Sequence, residues 1–197
     1  MIVIGITGGV GSGKTTVINE IKKLCNCRVI IADELAKSLQ KPGGKNYEKI
    51  VKLLGEEILT TKGGEIDNKK MARLIFGDEK LLKGVNEIVH PGVKTEILSI
   101  IEAERSKKEI DYLFIEAALL IEEGYGVICD NMWYIYTDMP IRRERLKTSR
   151  GYSDEKIDSI MRQQKSDKEF RKHCSNVIDN NGNLDKTVED IKKALKG

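Results

Sequence analysis

Aromatic side chains are scarce in this sequence: they make up 5% of its 197 residues, with a single tryptophan. That leaves no platform on which the bases of a single strand could stack. Charge of one sign is also in short supply. A net charge of +3 is too small to argue for a polyanionic partner, so no nucleic-acid partner is expected. No apolar run approaches the roughly 20 residues of a membrane span, so no membrane partner is expected either. The N-terminus enters an apolar strand without a basic leader, and no signal peptide is expected. The four cysteines, Cys25, Cys27, Cys129 and Cys174, match no zinc spacing, and only His90 and His173 could complete a site. A metal or redox pair at Cys25-x-Cys27 stands against buried free thiols in a reducing compartment. These features point to a cytoplasmic location. Internal repeats and low-complexity segments are absent too.

What is present begins at the first residues. The run Ile2-Val3-Ile4-Gly5-Ile6-Thr7 leads into Gly8-Gly9-Val10-Gly11-Ser12-Gly13-Lys14-Thr15, and Val17-Ile18-Asn19-Glu20-Ile21 follows. This is G-x-x-x-x-G-K-[ST] between a buried strand and a helix, the context the motif requires. Glycines let the backbone curl with its N–H groups inward, and the helix adds its positive end. Gly9, Val10, Gly11, Ser12, Gly13, Lys14, Thr15 and Thr16 are the expected ATP-binding residues. Lys14 reaches the β/γ-phosphates and Thr15 holds Mg²⁺.

Along the chain, strands are expected at residues 2–6, 28–32, 112–115, 132–136 and 177–178. The expected fold is α/β: a five-stranded parallel sheet with a helical insertion and a helical lid. The core covers about 1–33, 111–140 and 165–197, the insertion about 34–110, and the lid about 141–164. Asp33 follows the second strand, at the edge where open parallel sheets bind ligands. It reads equally well as an N-cap for a helix over 34–40. The stretch 47–104 is helical almost throughout, with Phe76 on an apolar face. Pro91 is expected to interrupt a helix and to push His90 out of helical geometry. Such a stretch is too long for one crossover between parallel strands. Glu116 ends the third strand. Pro140 opens a helix carrying Arg142, Arg143, Arg145, Lys147 and Arg150, and a second helix runs from Ser153 to about Gln164. This arginine group reads as a solvated basic face or as a mobile lid over phosphates, where one arginine is worth roughly 10³–10⁵ in rate. The last helix spans 184–195.

The carboxyl edge thus gathers a phosphate loop, two carboxylates and an arginine group, which suits phosphoryl transfer from a nucleoside triphosphate. Asp33 is the better candidate for taking an acceptor proton, and Glu116 could bind Mg²⁺ through water or stay structural. A nucleotide-dependent switch shares the loop. The sequence lacks the N-K-x-D guanine-specificity motif, and a long insertion with a lid suits a kinase enclosing a small acceptor.

The ordered set of motifs resembles the dephospho-CoA kinase family from Ile2 to about Gly182. Ile4-Gly5-Ile6-Thr7 through Thr15 is similar to that family's opening. Ile31-Ala32-Asp33 with Pro42-Gly43 resembles its Asp-x-Asp and Pro-Gly, and His90-Pro91 its His-Pro. Leu119-Leu120-Ile121-Glu122 resembles its Leu-Leu-x-Glu, and Val177-Ile178-Asp179-Asn180-Asn181-Gly182 its C-terminal signature. The resemblance implies ATP-dependent phosphorylation of the ribose 3′-hydroxyl of dephospho-CoA, the last step of coenzyme A synthesis, with Mg²⁺. It implies Asp33, Lys14, Arg145 and Arg150 in catalysis and Asn181 near the adenine. On the acceptor side it implies Thr7, Asp33, His90, Glu116 and Leu119. A monomer or weak homo-oligomer is expected. The sequence departs from the family at Ile31, at Glu116-Ala117-Ala118, at Ser149 and at Ile160. Arg150 follows Ser149, so either the lid is re-registered onto Arg150 or its stabilisation is weaker. A divergent kinase for another small hydroxyl acceptor is the alternative.

Overall fold

The computed structural model describes residues 1–197, which form two compact units: Met1–Ile30 with Glu104–Gly197, and Ile31–Ala103. The first unit is built on five strands, β1 (Ile2–Thr7), β2 (Cys27–Ile31), β3 (Tyr112–Glu116), β4 (Asn131–Tyr136) and β5 (Asn176–Asp179). Their order is β2-β3-β1-β4-β5. β1 pairs in parallel with β3 and β4, and β4 with β5. A central parallel strand is buried on both faces, which is why β1, β3 and β4 read as apolar runs rather than alternating ones. Val3, Ile6, Leu113, Phe114, Ile115, Trp133 and Ile135 are fully buried. Trp133 meets Phe114 edge-on at 5.5 Å. The register pairs Ile6 with Glu116 and Thr7 with Tyr134, so β1 and β3 end within one residue of each other and β4 runs two residues further.

Helix α1 (Lys14–Leu24) buries Val17, Ile18 and Ile21, as its spacing predicts. β1, β3, β4 and β5 run one residue beyond the expected bounds at one end or both, whereas β2 lies one residue earlier than expected, from Cys27 to Ile31. One helix escaped the sequence reading: Asp167–His173, between Gln164 and β5. Its signal was available. Ser166 and Glu169 form a capping box, Ser166 Oγ accepting from Glu169 N and Glu169 Oε2 accepting from Ser166 N at 2.8 Å. Phe170 on that helix stacks on Tyr134 at 4.7 Å.

The second unit holds α2 (Ala32–Leu39), α3 (Tyr47–Leu54), α4 (Asn68–Ile75) and most of α5 (Glu79–Lys107). Its core is Ile50, Leu54, Ile58, Leu59 and Val85, with Tyr47, Met71 and Leu74 against it. Two expectations fail here. Phe76 does not join the apolar face: α4 stops at Ile75, Phe76 is its extended C-cap, and the ring is 90% exposed. Pro91 does not interrupt the helix either. α5 runs through it for 29 residues, so His90 is helical. Proline inside a helix costs about 3 kcal/mol. Against that, Val85, Val89, Val93, Ile97 and Ile101 recur every fourth residue, and only an unbroken helix keeps them on one stripe. Val85, Val93, Ile97 and Ile101 are buried, at about 1.5–3 kcal/mol per large apolar side chain, so burial wins. Beside Pro91, a Cβ on Gly92 would lie 2.2 Å from Asn46 Oδ1, a close approach that only glycine allows. No helix is long and apolar enough to cross a membrane.

Candidate active site

The loop between β1 and α1 is shaped by its glycines. Gly11 and Gly13 both have φ near 82°, in the left-handed region. Gly13 is the N-cap of α1 and carries no capping side chain, so the first-turn N–H groups of α1 have no side-chain acceptor. Such an end is an anion site. Several carbonyls of the loop accept specific donors. Ser12 O accepts from Asn180 Nδ2 at 2.8 Å, Thr137 Oγ1 at 3.0 Å and Arg145 Nη1 at 3.5 Å. Val10 O accepts from Arg142 Nε at 2.9 Å, and Gly9 O from Ser12 N at 3.1 Å. The hydroxyls of Thr7 and Ser12 are buried without a hydrogen-bond partner.

Lys14 folds back over the loop. Its Nζ donates to Gly8 O at 3.0 Å and lies 3.5 Å from Glu116 Oε1. The pairing of Ile6 with Glu116 places that carboxylate beside the loop. Thr15 and Thr16 are exposed in the first turn of α1. On the far side of the loop, Asn181 Oδ1 accepts from Asp138 N at 2.8 Å, and its N and Nδ2 both donate to Asp179 Oδ1. Lys186 Nζ, 2.8 Å from Asp179 Oδ2, holds that carboxyl below its ordinary value, and Asn181 adds to the effect. Leu119, in the turn after β3, is half-exposed.

Asp33 is exposed, two residues beyond the end of β2. It is not the N-cap that the sequence allowed. α2 starts two residues earlier than expected, at Ala32, and its N-cap is Ile31, which has no capping side chain. His90 lies on α5, where it lines a groove of about 430 Å³ with Glu79, Leu82, Lys83, Asn86, Glu87 and Pro91.

The arginine group divides into three. It is carried by α6 (Met139–Arg150), which ends at left-handed Gly151 (φ 60°), and is followed by α7 (Asp154–Gln163) with Ser153 as N-cap. Arg142 and Arg145 lie on the phosphate loop, so the solvated-face reading fails for them. Arg145 also donates to Asn180 O at 2.8 Å. Arg143 pairs with Asp154 and Asp158, pinning α6 to α7. Arg150, the last residue of α6, is exposed, its guanidinium 5.9 Å from the ring centre of Tyr152. Sequence reasoning missed Arg142, Thr137, Asn180 and Gln164 as loop partners. Only Asn180 carried a signal, inside the C-terminal signature.

The cysteines are all unpaired. Burial, with Cys27 close by, pushes the Cys25 thiol up to about 12, and burial does the same to Cys129 and Cys174. Thiolates are what metals and redox partners require, and these half-buried thiols are held toward the neutral form. No group of three or more His, Cys, Asp or Glu side chains could hold a metal.

Comparison with known proteins agrees with this geometry. The sequence profile of a family described as dephospho-CoA kinase matches residues 2–186. A dephospho-CoA kinase of Carboxydothermus hydrogenoformans is 33% identical over 98% of this chain and 93% of its own length. One from Aquifex aeolicus is 34% identical over 98% and 95%. Among solved structures, a Thermus thermophilus protein superposes with a TM-score of 0.80 at 30% identity, covering 99% of this chain and 96% of the other.

Proposed function

The chain belongs to the dephospho-CoA kinase family, and from that premise we propose how its own residues transfer the γ-phosphoryl group of ATP to the ribose 3′-hydroxyl of dephospho-CoA, the final step of coenzyme A synthesis. The observation that carries this reading is the loop with its Lys14–Glu116 pair, at the joint carboxyl end of β1 and β3. The N–H groups of Gly11, Gly13, Lys14 and Thr15 bind the phosphates of ATP. Lys14 leaves Gly8 O and Glu116 for the β/γ-phosphate oxygens, exchanging one anionic partner for another. Thr7, His90 and Leu119 are assigned to the acceptor, with Glu116 at its phosphate-side edge, and Asn181 to the adenine.

The acceptor oxygen attacks the γ-phosphorus, the bond to the β,γ-bridging oxygen breaks, and ADP leaves with the electron pair. Asp33 takes the hydroxyl proton, a role worth about 10²–10⁴ in rate. Its exposure in the first turn of α2 leaves the carboxylate open to an acceptor. Arg145 and Arg150 stabilise the charge that spreads over the γ-phosphoryl oxygens.

A divalent ion accompanies ATP in such transfers, and we assign Mg²⁺. The donors fit it. There is no all-protein cage, and Mg²⁺ typically keeps several waters while taking one or two carboxylates and the substrate's phosphates. The Thr15 hydroxyl and Glu116 would hold it, and when bound it neutralises charge on the β- and γ-oxygens. The four reduced cysteines support a cytoplasmic setting.

The test mixes the full chain with Mg-ATP and dephospho-CoA and looks for 3′-phosphorylated product by mass. Asp33→Asn is expected to lower kcat by about 10²–10⁴ while the Kd for ATP stays within about twofold. Turnover of another nucleoside or sugar with none of dephospho-CoA would replace the acceptor. Unchanged turnover in Asp33→Asn would remove the proposed base.

A further inference from the structure

Both ends of the α6–α7 hairpin meet at one residue of the phosphate loop. At the start of α6, Arg142 Nε donates to Val10 O at 2.9 Å. Just past the end of α7, Gln164 Oε1 accepts from Val10 N at 3.3 Å and from Arg142 Nη2 at 2.5 Å. Val10, Arg142 and Gln164 therefore close a three-membered ring of hydrogen bonds in which both backbone polar groups of Val10 are used. Space is reserved for it. A Cβ on Gly9 would come within 2.2 Å of Arg142 Nη2, and one on Gly11 within 3.1 Å of Leu146 Cγ.

We propose that Gln164 is a positioning residue for the nucleotide: through Arg142 and Val10 it holds the phosphate loop in its anion-binding shape and fixes the base from which the lid moves. This rests on the ATP-dependent reading given above. The physical reason lies in what the ring holds. An anion nest binds well only when its N–H groups already converge, because a loop that must be ordered on binding loses affinity. Gln164 is the C-cap of α7, with extended backbone, so its place depends on α7 being folded and docked. Arg142 is shielded from water, and this burial lowers its pKa from the ordinary arginine value. A desolvated guanidinium deprived of its acceptor does not stay where it was. Arg145 stands one helical turn beyond Arg142 and contacts Ser12 O and Asn180 O. The same ring therefore sets the register of the arginine assigned to the transferred phosphoryl group. Motion of the lid is confined to the arm between, bounded by the Arg143 ion pairs and the Gly151 turn.

All the Gln164 bonds described here are accepted by one oxygen, so a carboxylate can replace the amide and a methyl group cannot. ATP binding is measured calorimetrically on the full chain without acceptor, beside steady-state kinetics and thermal unfolding. Gln164→Ala is expected to weaken ATP binding roughly 10-fold or more and to raise KM for ATP by more than it lowers kcat. Gln164→Glu is expected to stay within about threefold of the parent, since it keeps the acceptor and meets Arg142 with opposite charge. Should Gln164→Ala not fold, Arg142→Lys serves. A lysine keeps the charge but cannot reach Val10 O and Gln164 at once, and the same loss of ATP affinity is expected. A lowered unfolding midpoint with parental Kd for ATP would reduce the ring to a structural strut and overturn the proposal. So would Gln164→Glu failing as badly as Gln164→Ala. If the parent binds ATP but does not phosphorylate dephospho-CoA, the acceptor assignment fails while the binding comparison still decides the role of Gln164.

Discussion

Consider replacing Gly13 with alanine. Two separate penalties follow from the structure. Gly13 has φ near 82°, and a residue with a Cβ loses roughly 1–2 kcal/mol in that left-handed region. The added Cβ would also lie 2.2 Å from Asn180 Nδ2. Asn180 is buried and donates to Ser12 O at 2.8 Å. Pushing it away strips a buried amide of its partner, at about 1–3 kcal/mol. The total is about 2–5 kcal/mol. In a chain of this size each kcal/mol moves the unfolding midpoint by about 2–4 °C, so a fall of about 4–20 °C is expected. The two penalties separate in a double-mutant cycle. In an Asn180→Ala background the collision is gone and only the backbone penalty remains, so Gly13→Ala should cost about 1–2 kcal/mol there. Urea unfolding of the parent, both single variants and the double variant gives all four corners. An equal cost of Gly13→Ala in both backgrounds would refute the reasoning, because the contact with Asn180 would then contribute nothing.

Two further outcomes test other parts of the structure. Arg150→Ala removes an exposed side chain that reaches only the Tyr152 ring. Stability should change by less than about 0.5 kcal/mol, while kcat falls by roughly 10³–10⁵ if this arginine carries transition-state charge. Ser149→Ala should leave both unchanged, and an unchanged kcat in Arg150→Ala would return the role to Arg145 alone. Lys186→Met removes the cation that depresses Asp179. A depressed carboxylate adds stability above its unfolded pKa of about 3.9 and loses it as pH falls through the folded value. The variant should therefore be less stable at pH 7, and only slightly so because Lys186 is largely exposed and water screens the pair. The deficit should close as pH falls below the ordinary carboxylate value and through the lowered folded one, and a pH-independent deficit would exclude the ion pair as its cause.

The sheet was legible because a two-faced parallel strand leaves an unbroken apolar run. Phe114, Trp133 and their neighbours could be read with no knowledge of their partners. The loop was legible because its glycines and Lys14 act locally. What escaped depended on distance along the chain. Arg142, Asn180 and Gln164 touch a loop more than 130 residues away, and of the three only Asn180, inside the C-terminal signature, is marked by its own surroundings. Pro91 misled for the opposite reason. A strong local signal was outweighed by a stripe of burial that becomes visible only once α5 is treated as a single helix. The helix start beside Asp33 was misplaced by two residues, because the boundary between strand and helix at Ile31–Ala32 has no side-chain cap to announce it.

The donors gathered on the outer side of the phosphate loop carry a consequence for its electrostatics. The carbonyls of Gly8, Gly9, Val10 and Ser12 are each engaged by an amide, a lysine or an arginine. Each such bond offsets part of a carbonyl's negative charge near the cavity. The loop thus has four of its carbonyls held by donors, while the first-turn N–H groups of α1 keep no side-chain acceptor. It needs only one lysine of its own, because much of its field is set by residues such as Arg142, Arg145 and Asn180 that lie elsewhere in the sequence.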